Sequence, residues 1–292
     1  MRKMLRNFAN RVGAHAETDK AGNLLITKGV SDTYPCVAAH MDQVQRRYSR
    51  DYRVVQFGDT VMGWSDSMHS MQGLGADDKN GIFIALYCLQ KYDAIKVAFF
   101  VEEEVGCIGS ASCDLSFFAD CRFIIQPDRK GASDLITEMS VGRVASDEFI
   151  QAIQPGAALF GYREAEGTIT DVGTLVENGV GISCINLSCG YYNAHTAEEV
   201  TVLSELENCL RFVTWIIDNC TERYEYTPDL RGWFGSYGKT YLYDTDWDKL
   251  EEEYINNPDA DFDDVYNNTR LLSTKKEARD MWESIKFWGK NW

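Results

Sequence analysis

Short, mostly apolar runs, of which only "CVAAH" up to His40 is wholly apolar, alternate with longer segments of helical periodicity between residue 23 and about residue 218. The runs "NLLITKG" (23–29), "CVAAH" (36–40), "IKVAFFV" (95–101), "RFIIQ" (122–126) and "GISCINLS" (181–188) have the length of strands. Their lack of polar alternation predicts burial on both faces. "RVVQFGDTVMGWS" (53–65) predicts a hairpin that turns at Gly58-Asp59. "DKNGIFIALYCLQKY" (78–92) predicts a buried helix, and "GTLVENG" (173–179) a short one stopped by glycine. Thr196 and Glu199 have the spacing of a capping box, and Leu203, Leu206, Leu210, Val213 and Ile217 follow on one stripe. That pattern predicts a helix starting just after His195. At the amino end, Met4, Leu5, Phe8 and Val12 predict one side of an amphipathic helix. Strands alternating with helices imply an α/β fold: a three-layer sandwich around a central, mostly parallel, twisted sheet.

The pattern changes after about residue 221. Ten acidic residues and one lysine lie between Asp244 and Asp264, and Trp233, Trp247, Trp282, Trp288 and Trp292 all fall in this tail. Thr274 and Glu277 can cap a last helix with Ala278, Met281, Trp282, Ile285 and Trp288 on one face. Two regions are therefore expected: a catalytic domain over 1–220 and an acidic, Trp-rich extension over 221–292. The extension is expected to pack on the core and is the candidate contact for a homo-oligomer. "DADFDD" (259–264) fails as a calcium loop, because Asp264 stands where glycine is needed and Arg270 where glutamate is needed.

The formal net charge of −16 argues against nucleic acid and membrane surfaces as partners. No apolar run approaches the ~20 residues of a membrane span, and the basic amino end lacks the apolar block of a secretory signal. Nine cysteines, an odd number without a C-x-x-C pair, read as reduced small hydrophobes. A cytoplasmic location is expected. No P-loop, G-x-G-x-x-G or G-x-S-x-G motif is present.

Polar residues able to bind metal gather where the strands are expected to end. "VAAHMDQV" supplies His40 and Asp42, "GLGADDKNG" Asp77 and Asp78, "VEEEVGCIGS" Glu102, Glu103 and Glu104, "IIQPDRKG" Asp128, and "GYYNAHTAEE" His195. Each has an ordinary structural reading, as a turn residue, a helix cap or solvated surface. In a parallel α/β sheet, however, ligands sit at the carboxyl ends of strands, so these residues share one expected crevice. Carboxylates with imidazoles and no cysteine suit zinc and related divalent ions.

"AAHMDQV", "LGADDKNGI", "VEEEVGCIGS", "QPD" and "NAHTAEE", in that order, resemble the co-catalytic dizinc exopeptidases. The likeness is greatest to the peptidase T-like tripeptidases and related zinc aminopeptidases, and it spans roughly residues 15 to 215. The resemblance implies that Asp77 bridges two metal ions, most often zinc, with cobalt or manganese as alternatives. It implies that His40 and Asp128 complete one site, and Glu104 and His195 the other. Glu103 would be the general base, and Asp42 would hydrogen-bond the far nitrogen of His40. Many members carry a lid domain between two of these motifs. Here positions 128 and 195 differ by only 67, and positions 40 and 77 by 37, so a lidless form is expected. Arg143, His69, Tyr191 and Tyr192 are candidates for groups that hold substrate termini or an oxyanion.

The resemblance implies a hydrolase of amide bonds. Removal of N-terminal residues from short peptides is the leading expectation. A deacylase of N-acyl amino acids is a second, and an inactive binding or scaffold protein on the same fold a third.

Overall fold

The computed structural model describes residues 1–45, 48–140 and 142–228, and beyond them 249–250, 253–254, 257, 260–269, 275, 278–279, 282–283 and 286. The chain divides into two compact units, Met1–Pro228 and Asp229–Trp292.

The first unit begins with α1 (Arg2–Arg11), β1 (His15–Thr18), β2 (Leu24–Lys28) and β3 (Tyr34–His40). Next come β4 (Tyr52–Phe57), β5 (Thr60–Ser65), β6 (Ser70–Gln72), α2 (Ala76–Lys91), β7 (Ile95–Phe100) and α3 (Ile108–Ala111). They are followed by β8 (Cys121–Arg129), β9 (Asp134–Met139), β10 (Gly142–Arg143), α4 (Asp147–Phe160) and β11 (Arg163–Glu166). The unit closes with α5 (Asp171–Glu177), β12 (Cys184–Ser188), β13 (Tyr191–Tyr192), β14 (Val200–Val202) and α6 (Leu203–Asn219).

The main sheet has nine strands in the order β1-β2-β7-β3-β8-β12-β9-β10, with β11 also paired to β9. Its centre, β7-β3-β8-β12, is parallel, and the flanks β1-β2-β7 and β12-β9-β10 are antiparallel. Every residue of β3, β7 and β12 is buried, the polar Lys96, Asn186 and Ser188 among them, as their lack of polar alternation predicts. Alternate residues face opposite sides. Val37, Ala39, Val97, Phe99, Phe123, Ile125, Ile185 and Leu187 join residues of α1, α2, α4 and α6 in one core. The intervening Cys36, Ala38, Ala98, Phe100, Ile124 and Cys184 are also buried, on the side where α5 packs on β8 and β12 and α3 packs on α5. Two helical layers thus enclose the sheet.

A second, antiparallel sheet of five strands, β13-β14-β5-β4 with β6 on β5, is built from the predicted hairpin and three short later strands. It corrects the expectation of a helix starting after His195. Residues 200–202 pair with β5 instead, and the helix starts at Leu203. Leu206, Leu210, Val213 and Ile217 are buried as the stripe predicts. In α1, Leu5 and Ala9 are buried with Phe8 and Val12 against them, but Met4 points to solvent, 54% exposed. Residues 129–194 add β9, β10, β11 and β12 to the main sheet. The chain just past 221 stays with it: Ser183 N–H donates to Tyr224 O, and Tyr226 N–H to Gly181 O. No described helix is long and apolar enough to cross a membrane.

In the second unit, α7 (Phe262–Asn268) is capped by Asp261, whose side chain accepts the Asp263 N–H. Leu250, Phe262, Val265, Ala278 and Trp282 form a small core. Trp233, Trp247, Thr274, Glu277, Met281, Ile285, Trp288 and Trp292, singled out in the sequence, lie outside the described residues.

Candidate metal centre

Because β3, β7 and β8 run parallel, His40, the residues after Phe100 and Asp128 emerge at one edge of the sheet. His40, the last residue of β3, is fully buried. Its Nε2 lies 2.9 Å from Asp77 Oδ1 and 3.5 Å from Asp128 Oδ1. Asp77 stands in the first turn of α2, and its peptide to Asp78 is cis. The other Asp77 oxygen, Oδ2, lies 3.2 Å from His195 Nε2, which is 2.9 Å from Glu104 Oε2. Two clusters result, His40–Asp77–Asp128 and Asp77–Glu104–His195, each with ligand-type atoms within 4.8 Å of one another. Asp77 belongs to both and turns one oxygen toward each imidazole.

Local backbone chemistry sets these side chains. Gly75 enters α2 at φ +66°, a conformation that strains other L residues, so glycine suits the turn that presents Asp77. Asp78 faces inward: its carboxylate accepts the backbone N–H of His40 at 3.2 Å and of Gly81 at 2.9 Å, fastening α2 to β3. His195 sits at φ +65° in the turn between β13 and β14, half exposed. Glu199 is buried four residues later, and its carboxylate accepts the N–H groups of Gly75 and Asp77. The capping-box reading of Glu199 is therefore corrected: it holds the loop that carries Asp77.

Asp42 lies 3.6 Å from His40 Nδ1, a nitrogen left without a hydrogen-bond partner. Its hydrogen bonds go instead to the backbone N–H groups of Glu103 and Glu104, both at 3.2 Å. Asp128 Oδ2 accepts from the Gln126 amide at 3.0 Å and from Thr170 Oγ1 at 3.3 Å. The sequence reading missed Glu199, Gln126, Thr170 and Asp171. Gln126 left a trace as the one polar residue closing the run "RFIIQ".

Burial and mutual repulsion shape the charges. Burial raises Glu103 to about 9, with the Asp128 charge adding to it. Glu104 rises to about 7 through burial and then the Asp77 charge, and Asp128 to about 6 through burial. Burial works against protonation of His40, but Asp128, Asp42 and Asp77 outweigh it and hold the imidazole well above its ordinary value. Burial would also raise Asp77, yet the contact with His40 keeps it low. Among the described residues, no lysine or arginine pairs with Asp77, Glu104 or Asp128. Glu104 Oε1 is buried without a hydrogen-bond partner. A cluster with this anion excess and an orphaned carboxylate oxygen fits divalent cations.

The clusters floor a cavity of about 1120 Å³ lined also by Glu103, Arg129, Lys130, Ile136, Met139, Ile169, Tyr191 and Tyr192. Of the candidates for holding substrate, Tyr191 and Tyr192 line it. Arg143 and His69 do not: Arg143 pairs with the exposed Asp147, and His69 occupies the turn before β6.

No family model and no curated protein matches the sequence. Solved structures share its fold. The aminopeptidase PepT from Bacillus cereus superposes with a TM-score of 0.62 at 14% identity, over 75% of this chain and 92% of that one. A tripeptidase from Staphylococcus aureus gives 0.59 at 15% identity, over 74% and 91%. An aminopeptidase from the archaeon Desulfurococcus kamchatkensis gives 0.58 at 15% identity, over 74% and 88%. At these identities the likeness is one of fold.

Proposed function

We propose that the chain is a metal-dependent exopeptidase that removes the N-terminal residue from short peptides. The observation that carries this reading is the sharing of Asp77 between two ligand clusters at the carboxyl ends of parallel strands, with Glu103 beside them on the cavity wall. The peptidase fold of the structural neighbours supports it.

In this reading His40, Asp77 and Asp128 hold one divalent cation, and Asp77, Glu104 and His195 the other, with zinc, cobalt or manganese suited to the donors. Bound there, the pair supplies an acidified water and polarises the scissile carbonyl. Glu103 takes the water's proton and passes it to the leaving amine. Burial and the Asp128 charge keep Glu103 protonated at neutral pH in the bare cluster, and positive charge bound nearby would lower its pKa and free it to accept a proton. Asp42 holds the Glu103 and Glu104 backbone in register, and Glu199 does the same for Asp77. The cavity volume suits a peptide of a few residues.

The test is to measure the metal content of the purified chain and its hydrolysis of free, N-acetylated and C-amidated dipeptides and tripeptides. The expected result is about two ions per chain and cleavage that needs a free amino terminus. Cleavage of acetylated substrates alone would replace this reading with a deacylase, and no metal after reconstitution would replace it with a binding protein.

A further inference from the structure

Gln126, Asp171 and Ser110 are fully buried, and none of them lines the cavity. Their hydrogen bonds form a connected set. Gln126 Oε1 accepts the Val172 N–H at 3.0 Å, which fixes the amide's orientation. Its Nε2 then lies 3.0 Å from Asp128 Oδ2 and 3.1 Å from Asp171 Oδ2, so one N–H serves each carboxyl group. Thr170 Oγ1 adds a second donor to Asp128 Oδ2 at 3.3 Å. Asp128 is left with Oδ1, the oxygen that faces His40 Nε2.

Asp171 anchors the far end. Its Oδ1 lies 2.6 Å from Ser110 Oγ, which lies 3.0 Å from the Cys107 carbonyl. A hydroxyl has one proton. If Asp171 were an anion, one of these two approaches would bring lone pairs face to face. If Asp171 carries a proton, both are hydrogen bonds: Asp171 donates to Ser110, and Ser110 donates to Cys107. Burial works toward the same form and, with the Asp128 charge, raises Asp171 to about 7 against the charge of His40 and the hydrogen bonds with Ser110 and Gln126.

We propose that Gln126 and Asp171 are positioning residues that make Asp128 a single-oxygen metal ligand, an inference that rests on the metal-site reading above. Asp128 Oδ2 is committed to protein donors, and only Oδ1 is free to reach an ion.

The test uses the full chain, titrated with zinc by calorimetry and with cobalt by absorption, alongside melting of the metal-free protein. Gln126→Met removes the donor at similar length. It is expected to weaken one of the two zinc positions ~10–100-fold, the usual effect of losing a partner behind a ligand. The other position should stay unchanged, and the cobalt spectrum should shift. Thr170→Val removes only the weaker donor and should weaken the same position by less. It keeps the test open if Gln126→Met fails to fold. Asp171→Asn can accept from Gln126 and donate to Ser110, as the acid form does, so parental zinc affinity, cobalt spectrum and melting temperature are expected. Asp171→Ala should behave like Gln126→Met. The proposal is overturned if the folded donor variants keep both affinities, or if Asp171→Asn fails as badly as Asp171→Ala. A parent chain that takes up no zinc overturns the metal-site reading and this inference with it, whereas a zinc-binding parent with indifferent variants overturns this inference alone.

Discussion

The Asp42 carboxylate accepts the backbone N–H of Glu103, 61 residues away, at 3.2 Å. Its second oxygen accepts the N–H of Glu104 at the same distance. One side chain at the end of β3 thus sets the path of the segment leaving β7. Asp42→Asn keeps the size but offers one acceptor and turns a donor toward one of the two N–H groups. Turnover is expected to fall ~10–100-fold, with bound metal reduced less than turnover. Kinetics and metal analysis on the same preparation check this. Parental turnover would mean that the segment holds its path without Asp42.

The proposed mechanism gives Glu103, Glu104 and Glu102 different roles. Glu103→Gln keeps the shape and removes the proton acceptor, so hydrolysis is expected to fall ~10²–10⁴-fold with both metals bound. Glu104→Gln should lose one metal position and regain part of its activity in added metal. Glu102, which is exposed, should tolerate Gln best. If Glu103→Gln loses metal and Glu104→Gln keeps it, the assignment is off by one residue.

Glu199 offers a third test. Its carboxylate serves Gly75 and Asp77 at once, and Glu199→Gln leaves one of these N–H groups facing an amide donor. Losing a charge-assisted hydrogen bond costs about 1.5–3 kcal/mol. A lower melting temperature is expected, with weaker binding at both metal positions because Asp77 belongs to both. A variant that loses stability but binds metal normally would reduce Glu199 to a structural brace.

Stability of the metal-free chain should fall as pH rises. Asp128, Glu104, Asp171 and Glu103 titrate at about 6, 7, 7 and 9 in the fold, each raised first by burial. Unfolded carboxyl groups titrate near ~4. Between those values the folded chain holds protons that the unfolded chain has released, so rising pH favours unfolding. His40, also raised, acts in the same direction: its contribution is complete below its unfolded value of about 6.5 and is lost as pH climbs through the folded one. Asp42 and Asp77, which are lowered, add stability above ~4 and lose it only below that. Melting should therefore occur at higher temperature at pH 5 than at pH 8.5. Zinc should narrow or reverse the difference, because its ligands bind deprotonated. A metal-free melting temperature that climbs over this range would contradict the assignment of buried, proton-holding carboxyls.

The sequence made β3, β7, β8 and β12 legible because strands buried on both faces are apolar at most positions, without polar alternation. His40, Glu104 and Asp128 stood out because polar residues at or just past the end of such a run are a local signal, and Asp77 and His195 because they stand in short glycine- or turn-rich segments beside expected helix starts. What stayed hidden depends on distant partners. Glu199 matched a capping box by spacing, and only the pairing of β14 with β5 shows why no helix starts there. Gln126 and Asp171 meet across 45 positions. β13 and β14 are too short to show a period, and α4 carries Pro155 in its interior, which obscures a helical pattern.

The pairing of β9 with β12 bears on how substrate is chosen. Ile136 and Met139, on one wall of the cavity, come from β9, and Ile136 pairs directly with Asn186 of β12 beside the strand that carries Asp128. This wall shares one hydrogen-bonded sheet with His40 and Asp128, so it cannot part from that side of the candidate site and close on a ligand like half of a clamp. Under the proposed function, discrimination on this side would rest on what fits a gap of fixed width rather than on conformational closure driven by the correct substrate.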